Sequence, residues 1–443
     1  MWCGMSVVRL FRTFPLSVRL LLINQLAGNV GFYMLIPFLA DYLLDDLALS
    51  AAVVGVILGA RNLSQQGLFL VGGMAADRLG ARRVIIVGAA IRATGFALFA
   101  VGGSVAVVLL ASILTGFAGA LFNPAVRAYI ARDSDDRAAD AFALFNIFGN
   151  VGSAAGPIVG TVLISLGFEL TAIVAAGVFL ALTLAQLALL PHRAATPNGN
   201  NVLGDLTALL GHRVFWAFAI ALMGMFALQS QIYFILTLQA QDAAGEDFSA
   251  IAVAALFLTE TVTILVLQVR ITSALGARAR GPVMAVGMTV MGGAFLVPPA
   301  AARVIDAVTD QPVPAYLAVA PVALAAAILA VGIMTVAPFV NELIPRFGGP
   351  NLTGTYYGAF YLVAGVFTVT LTSLVGAAVD RLGGPLGWWP ALLCAGTGFA
   401  SAVAVAAMHR YGALPATSSD PDRPAPASTV LVKGDSDDAT DQR

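Results

Sequence analysis

The chain has 443 residues, 59 % of them apolar and only 11 % charged, with a formal net charge of −1. A soluble protein of this size carries about twice that share of charge. Apolar runs long enough for the roughly 30 Å of a bilayer core recur along the sequence, so the expected class is an all-α membrane protein.

Arg9, Arg12 and Arg19 precede a first span from about Leu20 to Leu43, which holds Pro37 and the amides Asn24, Gln25 and Asn29. No small-residue cleavage site follows a short apolar core, so this span is expected to stay in the protein. Asp41, Asp45 and Asp46 come next, then span 2 from about Ser50 to Val71. The run Gly72 to Arg83 is expected to be a loop, because hydrocarbon penalises each of its charges by several kcal/mol and its glycines permit a tight turn. Span 3 ends near Val101, and Gly102-Gly103-Ser104 joins it to span 4, about Val105 to Phe122. An expected loop rich in Arg and Asp, from Arg127 to Asp140, leads to span 5 (about Ala141 to Leu166) and span 6 (about Leu170 to Leu190).

The composition changes between Pro191 and Arg213. In the second part of this linker Leu203, Leu206, Leu210 and Val214 have the spacing of a helix lying along a membrane surface. Spans 7 to 12 are expected at about Val214–Leu238, Phe248–Val269, Pro282–Ala300, Tyr316–Val340, Thr353–Val379 and Leu386–Met408. The expected organisation is therefore an N-terminal six-helix bundle (1–192), a cytoplasmic linker (193–213), a C-terminal six-helix bundle (214–412) and a disordered acidic tail (413–443). Cys3 and Cys394 lie at opposite ends, so no disulfide is expected. His192, His212 and His409 lack metal-ligand spacing and read as ordinary surface residues. No metal, cofactor or enzymatic chemistry is expected. The single lysine, Lys433, and the lack of a Gly-x-x-x-x-Gly-Lys-Ser/Thr loop argue against an ATP-driven pump.

With the N-terminus inside, nearly all arginines before the tail fall in cytoplasmic segments, and only Arg303 and Arg381 fall outside. This bias sets orientation, and an even number of spans puts both ends in the cytoplasm. The halves also repeat. Leu79-Gly80-Ala81-Arg82 recurs as Leu275-Gly276-Ala277-Arg278, and Pro124, Val126, Ile130 and Arg132 recur as Pro338, Val340, Ile344 and Arg346.

Gly73, Asp77, Arg78, Gly80, Arg82 and Arg83 fill the pattern Gly-x-x-x-Asp-Arg-x-Gly-x-Arg-Arg. Set between two apolar spans, this resembles the signature of the major facilitator superfamily. The resemblance implies the major facilitator fold, two pseudo-symmetric six-helix bundles around a central cavity, working by alternating access. It also implies a gating role for this run, with Asp77 facing the positive N-terminal end of span 11. In span 5, Gly152, Gly156, Pro157 and Gly160 resemble the antiporter motif Gly-x-x-x-Gly-Pro-x-x-Gly. The glycines share one helix face and admit a close neighbour, and the motif implies proton-coupled export.

Four titratable residues in or near the spans are candidates for proton coupling: Glu260 in span 8, Arg61 in span 2, Arg92 in span 3 and Asp41 near the end of span 1. Glu260 also suits a static ion pair or an interhelical hydrogen bond, and Arg92 a side chain that snorkels from a lipid-near face. Many drug/proton antiporters of the superfamily have an arginine in span 4, four residues before a glycine. Here Gly116 is present and Ser112 holds the arginine position, so either Arg61 takes that role or the proton path differs. Candidate substrate contacts are Asn29, Tyr33, Gln65, Asn146, Gln229, Tyr233 and Tyr357.

The expected function is proton-driven efflux of small amphipathic compounds by a monomeric transporter in a bacterial inner membrane. Its partners are a small molecule, protons and the bilayer, with no nucleic acid. The alternatives are a proton-coupled transporter of a metabolite such as a sugar or peptide, or a non-transporting membrane receptor.

Overall fold

The computed structural model describes residues 7–39, 42–49, 51–191, 202–245, 248–308, 313–349 and 351–415. Asp41, Cys3, His192, the first part of the linker and nearly all of the expected tail lie outside these residues.

A short helix α1 (Val7–Arg12) leads into α2 (Leu16–Tyr33). Next come α3 (Ala51–Gly67), α4 (Phe69–Leu79), α5 (Ala81–Val101), α6 (Val105–Asp133), α7 (Ala138–Ile164) and α8 (Phe168–Leu189). The linker forms α9 (Val202–Gly211). The second half contains α10 (Arg213–Ser230), α11 (Ile235–Ala244), α12 (Ser249–Leu275), α13 (Arg280–Ala294) and α14 (Val297–Val308). It ends with α15 (Ala315–Gly348), α16 (Thr353–Arg381) and α17 (Trp388–Arg410).

Among the described residues, eleven helical stretches are long and apolar enough to cross a bilayer. The expected span 2 is not one of them, because it breaks at Leu68 into α3 and α4, of 17 and 11 residues. Large apolar side chains such as Ile158, Val162, Leu184, Leu258 and Val403 are exposed on the helices' outer faces. Water would disfavour that arrangement, whereas lipid tails are as apolar as leucine.

Three segments differ from the sequence expectation. The run Gly72 to Arg83 is not a loop: α4 continues through Asp77 and Arg78, Gly80 turns the chain at φ +89°, and α5 starts at Ala81. Gly72 and Gly73 therefore serve contact rather than the turn. A Cβ at Gly72 would stand 2.0 Å from the Ala120 carbonyl oxygen, and one at Gly73 2.0 Å from that of Gly354. The Arg- and Asp-rich loop after span 4 is also helical as far as Asp133, passing through Pro124. Its charges find partners on the helix: Arg127 lies 4.6 Å from the Tyr361 ring centroid and 5.3 Å from that of Phe145. Finally, α15 runs to Gly348 through Pro338 and Pro345, well beyond Val340.

The antiporter-motif glycines pack within the first half. Cβ atoms at Gly152, Gly156 and Gly160 would lie 2.4 Å from the Leu26 carbonyl oxygen, 2.6 Å from Tyr33 Cβ and 2.3 Å from the Met34 carbonyl oxygen. The stripe thus presses α7 against α2 and the turn after it, not against the opposite half. Contact between the halves is made by α4 on α16, and by α7 on α12 and α15.

Gly156→Ala is expected to destabilise the detergent-solubilised protein by about 1–3 kcal/mol through overpacking. Thermal unfolding is the measure. Gly177→Ala, where a Cβ meets nothing within 4 Å, is expected to leave the midpoint unchanged.

Candidate functional site

The helices of the two halves pack closely at the end carrying Arg78, Arg82 and Arg83. There α4 and α16 meet backbone to backbone: Gly354 would place a Cβ 2.5 Å from the Gly73 carbonyl oxygen, and Gly358 one 2.5 Å from that of Phe69. This closeness brings the carboxylate of Asp77, 4 % exposed, onto the first turn of α16. It accepts hydrogen bonds from the backbone N–H of Gly354 (2.8 Å), the backbone N–H of Thr355 (2.6 Å) and the Thr355 hydroxyl (2.7 Å). The free N–H groups and dipole of a helix start favour an anion there.

The other signature arginines brace the same end. Arg78 pairs with Asp205 of the linker helix α9 at 2.5 Å. Arg82 donates to the carbonyls of Leu187 and Leu190 at the C-terminal end of α8, as a cation there should. Arg83 is exposed. The second half has a buried ion pair, Arg280 with Glu342 at 3.0 Å, joined by Arg346 at 3.5 Å. His212 is not an ordinary surface residue: its Nδ1 is hydrogen-bonded to the Tyr356 hydroxyl at 2.7 Å, and its ring packs edge-on against Phe347.

The two halves enclose a cavity of about 420 Å³. Asn29, Tyr33, Gln65, Asn146, Gln229 and Tyr233 line it; Tyr357 does not. Tyr357 is fully buried and donates to the Asn341 carbonyl, and Tyr361, one turn further along α16, reaches the cavity instead. The helices of spans 1 and 7 both break here. A 3-10 turn, Ile36–Phe38, follows α2, and another, Gln231–Tyr233, follows α10. In each half an amide, Asn29 or Gln229, sits four residues before the lining tyrosine. Asn29 also ties α2 to α7, donating to the Gly149 carbonyl (2.8 Å) and the Ser153 hydroxyl (3.1 Å).

Of the proton-coupling candidates, Asp41 lies outside the described residues. Glu260 is 7 % exposed on α12, on the same helix face as Ile264 and Gln268, which line the cavity. No described cation lies within ion-pair distance of it, and it is close enough to interact electrostatically with Tyr33 and Tyr233. Arg61 stands behind the lining, its guanidinium 5.1 Å from the Phe32 ring centroid and bonded to Asn62. Gly116 meets the Arg61 backbone: a Cβ there would stand 2.2 Å from its carbonyl oxygen. Ser112 is fully buried, and its hydroxyl has no partner among the described residues. Arg92 lines the cavity, held among Phe32, Phe122 and Phe179 at 5.4–5.9 Å.

The lining residues that sequence reasoning missed include Arg127, Asn123, Asn150, Gln268 and Asn341. Arg127 was hidden by the loop expected after Phe122. The repeat pairing Pro124 with Pro338 was the available signal, because it matches two prolines inside long helices.

A helical membrane protein with a polar cavity between two halves, closed at one end by a carboxylate on a helix start, has the architecture of a solute carrier. Residues 21–372 match the Major Facilitator Superfamily, and the chain belongs to that family. It is 39 % identical over 412 residues to Rv0849, an uncharacterized MFS-type transporter of Mycobacterium tuberculosis strain H37Rv; the match covers 92 % of this chain and 96 % of that one. It is 30 % identical over 248 residues to the multidrug resistance protein MdtH of Aeromonas hydrophila, covering 56 % of this chain and 62 % of that one. The fold is similar to that of the Major Facilitator Superfamily transporter FucP in its outward conformation, with a TM-score of 0.69 at 15 % identity, covering 90 % of this chain and 99 % of that one. It is also similar to the human organic anion transporter MFSD10, with a TM-score of 0.65 at 17 % identity, covering 88 % and 99 %. The protein is a multi-pass membrane transporter with the major facilitator fold.

Thr355→Val removes one hydrogen-bond donor to Asp77 and keeps the side chain's shape. It is expected to cost about 1–3 kcal/mol, the usual penalty for losing a bond to a charged group. The midpoint of thermal unfolding should fall in Thr355→Val and fall less in Thr353→Val, since the Thr353 hydroxyl bonds the Gly349 carbonyl in the turn before α16 and not Asp77.

Proposed function

We propose that this transporter exports small amphipathic compounds in exchange for protons by alternating access, from a bacterial inner membrane and as a monomer. The moving units are residues 1–192 and 214–412, joined by the linker 193–213. The broken pair α3–α4 counts as the twelfth crossing, so both termini face the cytoplasm, and the arginine-rich end is the cytoplasmic one. The observation that carries the reading is Glu260, a carboxyl buried without an ion-pair partner on the helix face that lines the cavity between the halves. A membrane-buried carboxyl in that position suits cyclic protonation better than a static pair. The partial match to MdtH supports export of drug-like compounds.

Asp77 and the signature arginines form the gate. Burial of Asp77 on α16 holds the cytoplasmic end closed, and opening must break its three hydrogen bonds and part the Gly73–Gly354 contact. The α2–α7 glycine contact keeps the first half rigid while it rocks. A second reading, transport of one polar metabolite, is favoured by the many amides lining the cavity.

Everted vesicles energised to hold an acidic interior provide the test, with a panel of small amphipathic compounds of both charges. Substrates of the wild type are expected to dissipate the pH gradient, and Glu260→Gln to abolish the response. Dissipation by a single polar compound class would favour the metabolite reading. No response to any compound would contradict proton-coupled export.

A further inference from the structure

The charged residues that line the cavity are Arg92 and Arg127; no aspartate, glutamate or histidine among the described residues joins them. They come from neighbouring helices, α5 and α6, with Asn123 lining between them one turn from Arg127. Neither guanidinium has a carboxylate partner among the described residues. Arg127 donates to the carbonyl of Asn123 at 3.1 Å and rests on Tyr361 and Phe145. Arg92 rests on three phenylalanine faces, and its Nε is buried without a hydrogen-bond partner. Arg61 adds a third cation, 5.1 Å from the Phe32 ring centroid. Glu260 is not part of the lining and pairs with none of them.

Guanidinium groups keep their charge at any working pH. Aromatic faces hold them in place and offset part of the lost hydration. They do not supply a counter-charge, and a desolvated cation in a membrane protein normally has one. The missing counter-charge is the ligand's. A guanidinium fork suits a carboxylate, sulfonate or phosphate. A cationic compound would instead face two fixed positive charges and no acid, which selects against it.

We infer that the cavity takes anions: small amphipathic carboxylates, sulfonates or phosphates, whose charged group is held by Arg92 and Arg127 and whose body lies against Phe32, Phe145 and Phe226. This deepens the export reading above and rests on it for direction and driving force. Exchange of a monoanion for an entering proton carries net charge, whereas exchange of a monocation for one proton does not. Export is therefore expected to accelerate when a negative-inside potential is imposed.

The test uses the purified full chain and two probes with one ring system and opposite charge, naphthalene-2-sulfonate and (2-naphthylmethyl)trimethylammonium. Titration calorimetry is expected to show the sulfonate binding at least about tenfold more tightly than the ammonium compound. Arg92→Gln and Arg127→Gln are each expected to weaken the sulfonate by about tenfold or more, with Arg92→Lys between them and the wild type. The preference of the wild type does not depend on any variant folding. Tighter binding of the ammonium probe, or binding of neither, overturns the inference. Sulfonate binding unaffected by Arg92→Gln and Arg127→Gln in folded protein overturns the assignment to these residues. Sulfonate binding with no pH-driven or potential-driven transport in proteoliposomes would sink the export reading and leave the anion site standing.

Discussion

The carboxylate of Asp77 at the start of α16 is the contact on which the rest of the structure depends. A carboxylate 4 % exposed is stable only with donors in place. Here a helix start provides two backbone N–H groups and a threonine hydroxyl adds a third. Those donors belong to the other half of the molecule, so the acid can be satisfied in this way only when the halves meet. Glycine pairs on α4 and α16 make the meeting possible, because any side chain at Gly73 or Gly354 would collide with backbone. Closing this end leaves the polar cavity deeper in the bundle.

Two kinds of glycine contact divide the mechanical work. The stripe on α7 is locked to α2 inside one half, where separation would expose backbone to lipid for no gain. The glycines of α4 and α16 join different halves, alongside the contacts of α7 with α12 and α15, and there a buried acid depends on donors from the opposite half. Between them lie the groups to which the proposed function assigns solute and proton. Arg92 and Arg127 face the cavity, while Glu260 stands just outside it with Tyr33 and Tyr233 nearby.

Much of this was legible in the sequence. Apolar periodicity located the membrane helices, and the residues from Gly73 to Arg83 identified the family. Charge was the misleading signal. Charged residues were placed in loops on the cost of burying them in hydrocarbon, yet Asp77, Arg127 and Arg132 lie on helices whose ends run past the apolar stretch. Their partners come from distant segments: Asp77 meets Thr355, and Arg127 meets Tyr361. The family resemblance implied the first pairing, whereas sequence spacing carries no trace of the second. The break at Leu68 directly follows the polar stretch Ser64-Gln65-Gln66-Gly67, which lies inside the single expected span 2. Tyr357 and Tyr361 share a face of α16, and only packing decides which of them reaches the cavity.

The central claim is that the Asp77 contact holds the halves together at the arginine-rich end. It is tested most directly by the distance between spin labels at Arg83 and Ala277, exposed positions near the repeated turns of the two halves. The wild type is predicted to give mainly a short distance, and Asp77→Asn a population shifted to longer distances. An unchanged distribution in Asp77→Asn would show that the glycine contact alone holds the closed state, and would contradict this account.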